Sequence, residues 1–135
     1  MSERRLIDTN LIIRHLVQDN EKQAKAAEKL FIACDRGEIT VLLLPAVLAE
    51  CVFVLESFYR QPRADISAAL EKLITSPGIE LPGVEVQVDA LQRYAHSNAH
   101  FVDCLLAATA AAQRIPVATF DRDFRRFPDL EVRID

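Results

Sequence analysis

The chain has 135 residues, half of them apolar and 27% charged, with a formal net charge of −4. That length suits a single domain over residues 1–135, and that charge excludes a protein that holds nucleic acid by bulk positive field alone. With 3 Gly and 6 Pro it has no linker-like or low-complexity stretch, and without a signal-type apolar segment or a run of bilayer length it is expected to be cytoplasmic, with no membrane partner.

Arg5–Asp8 reads as a short buried strand, and Leu11, Ile12, Leu16 and Val17 then take helical spacing. Asp19 and Asn20 interrupt the pattern, and Asn20 suits the cap of a helix over Glu21–Arg36 that Gly37 stops. Ile39–Leu44 is an uninterrupted apolar run with β-branched residues and is predicted as a strand. Pro45 suits the first turn of a helix reaching Tyr59. A helix over Ala64–Thr75, a short strand over Ile79–Leu81, and helices over Val86–Ser97 and Phe101–Arg114 come next. Strands are expected at Val117–Phe120 and Glu131–Ile134, with a turn or short helix at Asp121–Phe127 between them. Strands alternating with helices define an α/β class with a mainly parallel sheet. Ligands then belong beyond the carboxyl ends of the strands, where Asp8 and Asp121 are expected.

Four acids need a reason. Asp8 and Asp121 each have a structural alternative, as the N-cap of the helix or turn that begins just after them. Glu50 lies in Ala46-Val47-Leu48-Ala49-Glu50-Cys51-Val52-Phe53-Val54-Leu55, a helix with no polar face. Such a helix is expected to be buried, and a buried carboxylate needs a cation or an Arg partner. Asp103 repeats the pattern in Phe101-Val102-Asp103-Cys104-Leu105-Leu106-Ala107-Ala108. Asp123 competes with Asp121 for its role, and Thr119 offers a hydroxyl beside it. One cation site would account for all four acids, and oxygen ligands favour Mg²⁺ or Mn²⁺.

The remaining chemistry-bearing residues point elsewhere. Cys34, Cys51 and Cys104 are odd in number and far apart, so they are expected as buried apolar side chains. His96 and His100 stand four apart, but Ser97-Asn98 breaks the helix between them and no zinc set is completed. No glycine-rich phosphate loop and no Gly-x-Ser-x-Gly elbow occurs.

Leu6-Ile7-Asp8-Thr9-Asn10, Pro45–Glu50, Phe101–Ala110 and Ala118–Phe124 together resemble the PIN-domain family, and within it the VapC-type toxins of toxin–antitoxin pairs. The ordered set spans nearly the whole chain. The resemblance implies a three-layer α/β domain with a central, mainly parallel sheet flanked by helices. It implies Mg²⁺- or Mn²⁺-dependent cleavage of RNA by Asp8, Glu50, Asp103 and Asp121. Thr9, Asn10, Thr119 and Asp123 are expected to support those acids. It further implies a homodimer and a cognate antitoxin. Arg4, Arg14, Arg122, Arg125 and Arg126 are the available cations for RNA, with Arg125 and Arg126 first among them. Two rivals remain: a non-catalytic PIN-like module that binds RNA or a partner, and a metal-dependent phosphatase of another α/β fold. The second would carry an Asp-x-Asp motif and a late Lys, whereas this chain has Asp8-Thr9-Asn10 and no Lys after Lys72.

Overall fold

A computed structural model describes residues 3–134. They fall into two compact units, one ending at Val84 and the other beginning at Glu85.

The first unit is α/β. Strands β1 (Glu3–Leu6), β2 (Ile39–Leu42) and β3 (Ile79–Glu80) form one sheet in that order. Both pairings are parallel, with Glu3 opposite Ile39, Leu6 opposite Leu42, and Leu42 opposite Glu80. Each crossover is a pair of helices: α1 (Thr9–Val17) with α2 (Glu21–Asp35), then α3 (Pro45–Ser57) with α4 (Arg63–Ile74). Apolar stripes from these helices meet the sheet in a core that fully buries Ile12, Val41, Leu43, Leu48, Leu55, Ile66 and Leu70. Asn20 caps α2 by accepting from the Gln23 amide at 3.1 Å. Gly78 has φ +80°, and a Cβ there would stand 2.8 Å from Cys34 atoms, so only glycine fits where α2 and β3 approach.

The second unit is mostly helical, with α5 (Val84–Ala95) and α6 (Phe101–Gln113) followed by a 3₁₀ turn over Arg122–Arg126. Tyr94 and Phe101 meet edge to face at 6.1 Å, and the buried Phe124 and Phe127 meet in the same way at 6.3 Å. Arg93 ties the chain end down. It donates to Asp89 and Asp129, both at 3.0 Å, and its guanidinium lies 5.5 Å from the Phe127 ring centre.

Three expectations need correction. The first strand is Glu3–Leu6, so Asp8 stands beyond it as the N-cap of α1. Val117–Phe120 and Glu131–Ile134 are not strands. They meet in one parallel bridge, Val117 with Val132, closed by Val117 N–H to the Glu131 carbonyl and Arg133 N–H to the Val117 carbonyl, each 2.9 Å. Past that bridge the Thr119 hydroxyl accepts the Asp121 amide at 3.0 Å, a local turn that competes with ladder pairing. Asp121 therefore caps the 3₁₀ turn instead of ending a strand. The three cysteines are free and buried, as expected. Among the described residues no helix is long and apolar enough to cross a membrane.

Candidate active site

In the first unit, Asp8 and Glu50 flank one buried thiol. Asp8 is oriented by its capping bond, its Oδ1 accepting from the Leu11 amide at 3.0 Å, which leaves Oδ2 uncommitted by that bond. The Cys51 thiol is pushed up to about 12, chiefly by burial and in smaller part by the nearby charges of Glu50 and Asp8, with Thr9 opposing them. Thr9 has a buried hydroxyl beside that thiol, whereas Asn10 is exposed.

Glu50 is not buried. It lies on the exposed stripe of α3 with Ala46, Phe53 and Ser57. The helix buries Leu48, Cys51, Val52 and Leu55 on its other side. The sequence concealed this because the exposed stripe is itself apolar: Phe53 is 66% exposed. Glu50 thus needs no internal cation for burial's sake. Its value to a site is an accessible charge close to Asp8.

In the second unit, Asp103 and Asp121 line the same cleft, with His100 and Asp123 beside them. Asp103 sits in the first turn of α6, where the helix dipole favours a negative charge. Asp121 is fixed twice: its amide donates to Thr119 Oγ1 at 3.0 Å, and its Oδ1 accepts the Asp123 amide at 2.8 Å. Asp123 is turned toward Arg126, with 3.4 Å between carboxylate and guanidinium. Asp121 also lines the apolar pocket that Asp103 shares with Thr109 and Thr119, and Asp123 does not. Of the two competing acids, Asp121 is therefore the better companion for Asp103.

Among the described residues no three of His, Cys, Asp and Glu are grouped tightly enough to hold a metal ion by themselves. The pair that shares one cleft, Asp103 and Asp121, suits a hard cation that keeps most of its water. Mg²⁺ commonly takes only one or two carboxylates, with water and substrate phosphate filling the other positions. The thiol of Cys51, raised well above the ordinary thiol range by burial, is a poor ligand.

The basic residues divide. Arg4 pairs with Glu80 at 2.7 Å, and Arg14 pairs with Asp19 at 2.8 Å. Both are spent within the first unit. Arg122 and Arg125 form no ion pair among the described residues. His100, set aside in the sequence as one member of a failed zinc pair, lines the Asp103 cleft as the N-cap of α6. Its position three residues before Asp103 was the available signal.

A PIN-domain family model matches residues 5–130, and the chain belongs to the PIN-domain family. It is similar to a VapC ribonuclease of Aquifex aeolicus (strain VF5), with 27% identity over 126 aligned residues and coverage of 90% of each chain. A crystal structure of VapBC2 from Rickettsia felis bound to a DNA fragment from its promoter aligns over 96% of this chain and 97% of that one, at 18% identity and a TM-score of 0.38.

Proposed function

We propose that this protein is a Mg²⁺- or Mn²⁺-dependent endoribonuclease, the toxin of a toxin–antitoxin pair, with Asp8, Glu50, Asp103 and Asp121 as its catalytic acids. The observation that carries the reading is the cleft where Asp103 and Asp121 stand together, in a chain of the PIN family. The VapC ribonuclease likeness supports RNA as the substrate.

Asp103 and Asp121 would hold the cation, and Asp8 and Glu50 would complete the acidic set. Bound there, a divalent cation supplies positive charge toward a phosphodiester oxygen and lowers the pKa of its water. The chain's own groups provide orientation. The Leu11 amide fixes the Asp8 carboxylate, the Asp123 amide fixes that of Asp121, and Thr119 fixes the Asp121 backbone. Glu50, accessible and unburied, is placed to orient an attacking water or accept its proton. Arg126, which lines the Asp103–Asp121 cleft, adds positive charge for RNA. Single-stranded or loop RNA is the favoured substrate because its bases are accessible.

The reading extends to a cytoplasmic homodimer and to a cognate antitoxin that covers the acids. The exposed apolar stripe of α3 around Phe53, with Phe58 75% exposed just beyond it, supports such contacts.

The test sets a defined single-stranded RNA beside a phosphomonoester, each with Mg²⁺, with Mn²⁺ and with chelator. We expect metal-dependent cleavage of the RNA and no turnover of the phosphomonoester. Turnover of the phosphomonoester would instead support a phosphatase. RNA bound but intact under all three conditions would support a binding module.

A further inference from the structure

The Asp103–Asp121 cleft does not end at its acids. Asn98, Asp123, Arg126 and Phe127 form a wall that it shares with a second, wider depression. The first has a volume of about 180 Å³ and the second about 650 Å³. Both lie wholly within the second unit. The wider one adds Arg93, His96 and Arg122.

Its charges can be sorted by partner. Arg93 is occupied by Asp89 and Asp129. Arg126 donates to the Asp123 carbonyl at 2.9 Å and faces its carboxylate at 3.4 Å, which holds the guanidinium in place and balances one negative charge. Arg122 has no ion pair among the described residues. Arg122 therefore brings to the depression a guanidinium that forms no ion pair among the described residues, directly beside a cleft whose carboxylates repel anions. Arg125 lines neither hollow.

We propose that this depression is a phosphate subsite for the RNA strand leaving the Asp103–Asp121 cleft, with Arg122 and Arg126 as its anion-binding groups. The inference rests on the ribonuclease reading and adds a path for the strand. A scissile phosphate among carboxylates is held poorly without help. A neighbouring phosphate on two guanidiniums, whose planar forks match phosphate oxygens, offsets that repulsion. The geometry also separates Arg122 from Arg125, which sequence position alone does not.

The test measures binding of a short fluorescein-labelled single-stranded RNA by anisotropy across a salt series with Mg²⁺ present. An Asp103→Asn background keeps the RNA intact. Adding Arg122→Ala should weaken binding several-fold and reduce the salt slope by about 0.7, the loss of one single-strand phosphate contact. Arg122→Lys should restore part of it, and Arg125→Ala should leave the slope in place. Equal losses from Arg122→Ala and Arg125→Ala, or none from either, would overturn the subsite. Unchanged urea midpoints keep folding out of the comparison. Cleavage by the wild-type chain with an Arg122-independent slope removes the subsite alone. An Arg122-dependent slope in a wild-type chain that never cleaves RNA removes the nuclease reading instead.

Discussion

Asp8 combines two tasks that substitution can separate. As N-cap it satisfies the Leu11 amide; as a charge it belongs to the proposed catalytic set. Asn keeps the capping oxygen and loses the charge, whereas Ala loses both. We predict that Asp8→Asn and Asp8→Ala are equally inactive, but that Asp8→Ala is less stable by about 1 kcal/mol in urea unfolding. Equal stabilities would deny the cap. Arg93 offers a purely structural contrast. Its hydrogen bonds hold the Asp129 carboxyl below the ordinary carboxylate range. Arg93→Ala should cost about 1–2 kcal/mol, discounted because Asp129 is half exposed. This cost depends on pH. A carboxylate with a lowered folded pKa contributes fully above its unfolded value, and that contribution is lost as pH falls through the folded value. The deficit of Arg93→Ala should therefore shrink below about pH 4, measured as the difference in urea midpoint from wild type. At this scale the sequence was legible where chemistry is local: Asp8, Asn20 and Asp121 cap α1, α2 and the 3₁₀ turn respectively. It misled at Glu50, because an exposed face bearing Phe53 reads as core.

Helix α3 shows how one element serves core and surface. Leu48, Cys51, Val52 and Leu55 are buried, and Leu55→Ala should cost about 2–5 kcal/mol in urea unfolding. Phe53, on the opposite side, is 66% exposed. Phe53→Ser should change stability by no more than about 0.5 kcal/mol, while lowering the mass found by sedimentation if this stripe joins two copies. An unaltered mass would place the proposed homodimer contact elsewhere. The helices were readable because their apolar periodicity and stop signals extend over many residues. The segments at Val117 and Val132 were not. A β-branched run predicts extended chain, but pairing depends on a partner distant in sequence, and here the Thr119–Asp121 turn takes over after one bridge.

Across the whole molecule, the motifs that resembled the PIN family lie in both units, and the family model runs from residue 5 to residue 130. If the two pairs of acids serve one reaction, their losses must not multiply. Residues that act as a unit give a double variant no worse than the poorer single one. Asp8→Asn combined with Asp103→Asn should therefore cleave RNA no more slowly than the slower parent, and independent multiplication would refute a shared reaction. The order of motifs made the family legible in the sequence. The proposed phosphate path past Arg122 was not, because it depends on which arginines are already taken by Asp19, Glu80 and Asp129. The most direct measurement is the rate of Mg²⁺-supported RNA cleavage by wild type and by Asp103→Asn, with urea midpoints for both. A loss of at least about a hundredfold at an unchanged midpoint, equivalent to about 2.7 kcal/mol of barrier, is the predicted result; undiminished cleavage by Asp103→Asn would contradict the account.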